Sequence, residues 1–230
     1  MKHNHTEDGE HWLSLSDMMS GLMVIFLFIA ITYMMNAKHE KDKVVEIAVT
    51  YEKNKDIIYS RLIQEFNDDL DKWNAEIDKD NLSFRFKAPD ILFDIGKSGL
   101  KPPFKDILNS FFPRYINVLK DYAQEIEEIR IEGHTSLDWA GDYYSADESY
   151  FKNMALSQER TRATLEYCLS LSQISEKRIW IKSVLTANGL SSSKLIYKED
   201  KTEDAARSRR VEFRVRTNAE QQIINILKKK

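Results

Sequence analysis

From Leu13 to Met35 the chain runs for 23 residues with one charged side chain, Asp17. As an α-helix rising roughly 1.5 Å per residue, this run covers about 35 Å, enough to cross a hydrocarbon core of about 30 Å. One membrane span is expected. A carboxylate at that depth costs on the order of 2.5 to 3.5 kcal/mol on insertion scales, so Asp17 is expected to face a partner helix or a hydrated path and to bind a proton there. Ser14, Asp17, Ser20 and Gly21 share one helical face that Val24 and Phe28 continue. Small residues on such a face let another helix approach closely. Two simpler readings compete. A signal peptide needs a basic leader and a small-residue cleavage site, whereas Glu7, Asp8 and Glu10 precede this run and Tyr33, Met34, Met35 and Asn36 end it. A plain anchor, with Asp17 near the interface and reaching water, stays open.

Composition excludes more than it suggests. The formal net charge is −3 over 230 residues, and neither the charge nor any motif points to nucleic acid. Cys168 is the one cysteine, so no intrachain disulfide forms, and its helical surroundings suit a small buried hydrophobe. His3, His5 and His11 lie near acidic residues, but their spacing matches no closed zinc motif, and no metal site is expected. With no paired carboxylates, metal cluster or nucleophile triad, the chain does not read as an enzyme. No cofactor is expected.

The remaining pattern divides the chain into a polar tail (1–11), the span (12–36), a charged helical connector (37–80), a globular domain (81–217) and a tail or short docking helix (218–230). Trp12 and Tyr33 flank the span as interfacial aromatics do. In the connector, Val44, Ala48, Tyr51, Ile58, Leu62, Phe66, Leu70, Trp73 and Ile77 recur mostly every three or four residues, interrupted around Lys55. That stripe fits either pairing with its copy in a dimer or packing on the following domain. In the domain, Leu82, Phe84 and Phe86 alternate as a strand, Ile91 to Phe93 is a short apolar piece, and Gly96 to Gly99 is a turn. A helix is expected from Phe104 to about Glu127, with a possible break at Pro113, then a strand through Ile129 and Ile131 ending at Gly133. A long acidic loop from Thr135 to Tyr150, a helix from Phe151 to Leu171, a strand near Trp180 to Leu185 and a last strand at Val211 to Val215 complete the order. This alternation describes an α+β or α/β sandwich, helices against a mixed sheet.

The segment Ile131 to Ser136 (IEGHTS) resembles the end of the central strand of OmpA-like peptidoglycan-binding domains. Asn153 to Arg160 (NMALSQER) matches their Asn-x-x-Leu-Ser-x-x-Arg helix start, and Ser208 to Phe213 (SRRVEF) resembles the start of their final strand. The resemblance covers roughly Asn81 to Thr217 and implies an α+β fold, a βαβαβ sandwich that holds the diaminopimelate-containing peptide of the cell wall. It implies that Arg160 takes a ligand carboxylate, Asn153 fixes the ligand backbone and Leu156 lines the site. A guanidinium in the first turns of a helix, beside free backbone N–H groups, suits a carboxylate by itself. The alternative is that Asn153 caps the helix, Leu156 is core and Arg160 pairs with Glu159 or Asp147. His134 is expected to help its turn hold shape. The family places Asp where this chain has Ser136, the position implied to meet a ligand ammonium group; Asp138 is the nearby substitute.

Trp12 to Met23 (WLSLSDMMSGLM) resembles the span entrance of MotB-like stator B subunits, in which this Asp accepts the proton. The short tail and connector are closer to the B subunits of Zorya anti-phage defence systems than to flagellar ones. The resemblance implies a homodimer inside five multi-span A subunits in the bacterial inner membrane, driven by H+, with the N-terminus cytoplasmic and the C-terminal domain periplasmic on peptidoglycan. A count of Lys2 against Lys38, Lys41 and Lys43 favours the opposite orientation. A flagellar-type stator, a passive membrane-to-wall tether and a TolR-like or ExbD-like transducer are the rival readings.

Overall fold

The computed structural model describes residues 7–87, 89–139 and 144–218. The docking helix expected at the C-terminus lies outside them. The chain forms two compact units, one ending at Val49 and one from Thr50 to Gln221. Helix α1 (Glu7–Leu70) contributes to both. In the first unit, large apolar side chains such as Met18, Phe28 and Tyr33 are exposed, and the helix is long and apolar enough to cross a membrane. Asp17 is exposed on this helix, and a Cβ added at Gly21, one turn on, would meet no heavy atom within 4 Å.

From Thr50 onward the apolar stripe has a partner in its own chain. Ile58, Leu62 and Phe66 are fully buried in the domain core, so over this stretch the stripe packs on the domain. The interruption at Lys55 is a buried position whose stem is covered while Glu52 holds its ammonium at 2.8 Å. Helix α1 is followed by β1 (Ala75–Asp78), β2 (Ser83–Phe86), the short α2 (Pro89–Leu92) and α3 (Pro102–Lys120). Next come β3 (Ile126–His134), α4 (Ala146–Ser170), a 3-10 turn (Ser172–Lys177), α5 (Arg178–Val184), β4 (Leu185–Gly189), α6 (Ala205–Ser208) and β5 (Arg210–Thr217). The fold is α+β. The five strands lie in the order β1-β2-β5-β3-β4, antiparallel except for the parallel β3–β4 pair.

Strand alternation divides the sheet into two chemically opposite faces. Phe84, Phe86, Ile129, Ile131, Val211, Phe213 and Val215 form the apolar face. Helix α3 lays Phe104, Leu108, Phe111, Tyr115 and Leu119 on it at helical spacing, and it runs through Pro113 unbroken because that packed face outweighs the lost backbone bond. Phe111 sits at the centre of an aromatic cluster, 4.5 Å from Phe84, 5.0 Å from Phe213 and 5.4 Å from Phe66 between ring centroids. Arg114 closes the seam between α1 and α3. It donates to Glu65 and Asp69 and lies 4.7 Å from the centre of the Phe66 ring. Cys168 is fully buried, and burial pushes its thiol up, away from reactivity.

Several elements differ from the sequence expectation. The segment read as a strand at Trp180 to Leu185 is α5, which buries Ile181 and sets the Trp180 ring 4.6 Å from the Lys120 ammonium. The strand follows it, and Leu-Thr-Ala-Asn-Gly has little β-propensity of its own; pairing with β3 makes it one. Helix α3 stops at Lys120, and α4 begins at Ala146 rather than Phe151. Ile91 falls in α2, and the connector read as helical to residue 80 ends at Leu70, so that Ile77 lies in β1 and not on the helical stripe.

Because Phe66 is part of the domain core, Phe66→Ala should cost about 3 to 5 kcal/mol of domain stability in denaturant unfolding. A fragment of residues 50–221 should unfold cooperatively, whereas one of residues 81–221 should not.

Candidate functional site

A pocket of roughly 740 Å³, counting the part open to solvent, lies at the carboxyl end of β3. Its walls come from the loop after α2, the segment after β3, one face of α4 and Arg209 just before β5. The structure therefore brings Ser136, Asn153, Leu156 and Arg160 into one cavity. Asp17 belongs to the other unit.

Arg160 is not where the sequence placed it. Helix α4 is capped by Ser145, whose hydroxyl accepts from the Glu148 N–H while Glu148 reaches back to the Ser145 N–H, a reciprocal capping box. Arg160 is thus well inside the helix, without free helix N–H groups beside it, and the argument from a helix N-terminus does not hold. The pairing with Glu159 or Asp147 does not form either. Its guanidinium donates to the Lys97 carbonyl at 2.9 Å and the Asp94 carbonyl at 3.1 Å, and lies 4.8 Å from the centre of the Phe93 ring. Burial, and then the positive charge of Arg209, bring its pKa down to about 10. It stays charged at neutral pH, held by neutral dipoles and a ring, beside a second cation. Among the described residues the Arg209 guanidinium makes no hydrogen bond or ion pair, and neither does the carboxylate of Asp138, which also lines the pocket. Asp94, by contrast, is met by Lys97 and Lys101. A cavity whose two guanidiniums and one carboxylate form no ion pair among the described residues is complementary to a ligand carrying carboxylate and ammonium groups.

Asn153 is not a cap. It is buried in the second turn of α4, and its amide nitrogen donates to the carbonyls of Ser136 and Leu137 at 3.2 and 3.3 Å, fixing the segment after β3. Its side-chain oxygen is left to accept a ligand N–H. Leu156 is buried yet lines the pocket, so it serves packing and cavity at once. The carbonyls of Asp94 and Lys97, the Phe93 ring, Trp139 and Arg209 were missed from sequence as site groups. Backbone carbonyls leave no trace in a sequence, while Arg209 could have been found from its place in the Ser208 to Phe213 motif.

Behind the pocket lies a buried polar layer on the second face of the sheet. Glu132 and Glu212 face each other across the β3–β5 pair, a like-charge juxtaposition that needs compensation. Arg210 and Arg85 both donate to Glu212 Oε1, Ser83 donates to Glu212 Oε2, and Arg214 lies 3.9 Å from Glu132. These partners hold the Glu212 carboxyl below the usual range despite its burial. His134 is the last residue of β3, with Nε2 3.8 Å from both carboxylates, and neither ring nitrogen has a hydrogen-bond partner. Glu132, His134 and Glu212 are the group among the described residues whose ligand atoms, all within 4.8 Å of one another, could hold a metal. The guanidiniums of Arg210 and Arg85 already meet the demand for positive charge there, so the set suits ion pairing better than a metal.

Comparison with known proteins gives three findings. The model of the OmpA family matches residues 92–209. The Zorya protein ZorB of Escherichia coli strain Crooks is 52% identical over 221 residues, which cover 96% of this chain and 94% of that protein. Among solved structures, a putative MotB-like protein from Desulfovibrio vulgaris is 22% identical with a TM-score of 0.49, covering 71% of this chain and 91% of its own. The cell wall anchor of the type VI secretion system from Pseudomonas aeruginosa is 19% identical with a TM-score of 0.46, covering 68% and 96%.

The polar layer has a pH signature. Burial foremost, with the nearby Arg210 charge, lowers the His134 pKa below its ordinary 6.5 against the opposing pull of Glu132 and Glu212. The unfolded chain therefore binds a proton here before the folded one does. Stability is full above about pH 6.5 and is lost as pH falls through the folded value. Denaturation midpoints should drop between about pH 7 and pH 5, and His134→Gln should flatten the slope in that window.

Proposed function

The chain belongs to the OmpA family and to the same group as the Zorya protein ZorB, and from that membership we propose that it is the B subunit of an ion-driven, stator-like inner-membrane motor that grips peptidoglycan and serves anti-phage defence. The observation that carries this reading is the 52% identity that extends over 96% of the chain and so takes in both the apolar helix and the pocket. In this reading Asp17 is the proton carrier. Two copies stand inside five multi-span A subunits, with the N-terminus cytoplasmic and the domain outside. Alternate charging and neutralising of Asp17 changes its attraction to the surrounding helices and steps them, while the domain holds the wall so that torque has a reaction point.

The pocket supports the wall-binding half on chemical grounds. A stem-peptide residue with a free carboxylate and a free ammonium matches the guanidiniums of Arg160 and Arg209 and the carboxylate of Asp138, all three of which line the pocket. Asp138 takes the part that Ser136 cannot, and the Ser136 contribution is its carbonyl, which positions Asn153. Asn153 accepts from the ligand backbone, and Leu156 excludes water from the contact between guanidinium and ligand carboxylate.

Cells carrying the whole operon should lose phage resistance with either Asp17→Asn or Arg160→Ala, each protein still reaching the membrane. Resistance that survives Asp17→Asn would leave a passive tether. Binding of purified full-length protein to isolated wall should be lost in Arg160→Ala, weakened in Asp138→Asn and kept in Asp17→Asn.

A further inference from the structure

Among the described residues, the segment after β3 holds two aromatic residues that the peptide reading leaves unused. Trp139 lines the pocket beside Asp138, and Tyr144 directly precedes the capping Ser145 of α4. Both are half-buried, and neither belongs to the hydrophobic core cluster or to the partly buried residues packed against it. Large rings kept half in water and off the core contribute less to folding than their area allows. Lys152, the neighbour of Asn153 on α4, places its ammonium 4.4 Å from the centre of the Tyr144 ring and 5.7 Å from that of Trp139. No carboxylate lies within ion-pair distance of that ammonium among the described residues. One cation thus ties both rings to the helix that carries Asn153, which fixes them before any ligand arrives.

Resting on the wall-binding reading above, we infer that Trp139 and Tyr144 form an aromatic subsite for a pyranose ring of the amino-sugar strand that carries the stem peptide. The charged groups of the pocket account for the carboxylates and ammonium of the peptide. What remains beside them is aromatic surface with a polar rim. A pyranose offers the matching chemistry: a face of C–H groups to lie on the ring and an edge of hydroxyl and amide groups for water and the rim. Lys152 is a positioning residue here. It orients the rings and does not touch the sugar.

The test compares two probes on the purified full-length protein in detergent: a free stem peptide with its diamino acid unamidated, and the same peptide on its disaccharide. The wild type should bind the disaccharide-peptide about tenfold more tightly. Tyr144→Leu, outside the pocket lining, should lower that affinity toward the level of the free peptide and leave free-peptide binding unchanged, while Trp139→Ala should cost the disaccharide-peptide more than the free peptide, with thermal unfolding showing both variants folded. Equal affinity of the wild type for the two probes would overturn the subsite, as would an equal loss for both probes in Trp139→Ala. If the wild type binds neither probe, the wall-binding reading itself falls, and the subsite with it.

Discussion

Helix α4 lies so close to the sheet that two positions beneath it have no room for a side chain. A Cβ on Gly133 would stand 2.7 Å from Thr161 Cγ2 and 2.9 Å from the Ser157 carbonyl oxygen, and one on Gly189 would stand 2.3 Å from the Gln158 backbone nitrogen. The second clash is with backbone, which no rotamer change relieves. This approach fixes the depth of α4, and hydrogen bonds across the end of the sheet then fix its register. Ser191 N–H donates to Ser157 Oγ, Ser191 Oγ donates to the Tyr150 carbonyl, and Thr135 N–H donates to the Ser191 carbonyl. With depth and register set, Asn153 meets the strand end that it clamps, and Arg160 meets the loop carbonyls that hold it. The pocket is therefore a by-product of helix-on-glycine packing, and its precision comes from the least adjustable part of the fold.

That dependence explains which features were legible in the sequence. The residues from Ile131 to Ser136 and from Asn153 to Arg160 were readable because each set is local, on one strand or one helix, and their meeting at one cavity follows from the fold they resemble. The helix start was missed because Ser145 and Glu148 lie in an acidic stretch that reads as loop, although Ser-x-x-Glu before a helical run is a capping signal. Once α4 starts there, Asp147 and Glu148 become first-turn acids suited to the helix dipole. The position of β5 between β2 and β3 and the strand character of Leu185 to Gly189 were illegible for a different reason. Both are settled by long-range pairing, which short apolar runs do not encode.

The connector shows how packing decides a question that periodicity leaves open. An apolar stripe at helical spacing states that a face is covered and says nothing of what covers it. Phe66 supplies the missing term, since its ring fits among Trp73, Phe84 and Phe111. A residue paired with its own copy would leave those rings short of a neighbour. Arg114 strengthens the choice by holding two α1 carboxylates that the sequence presented as ordinary solvated charge.

Arg209 and Arg210 carry the lesson about charge furthest. They are adjacent in sequence and identical in type, and the passage from α6 into β5 sends them to opposite duties. Arg210 turns to the polar face, where Glu212 compensates it inside a buried network. Arg209 turns to the pocket, where it forms no ion pair among the described residues and raises the cost of keeping Arg160 charged beside it. Folding stability alone would favour a neutral side chain at that position, because two cations sharing a partly desolvated cavity repel each other. An anionic ligand would relieve that repulsion, so the repulsion would favour binding one. The net charge of −3 gives no hint of this. The chemistry of the site lies in which charges the fold leaves unpaired.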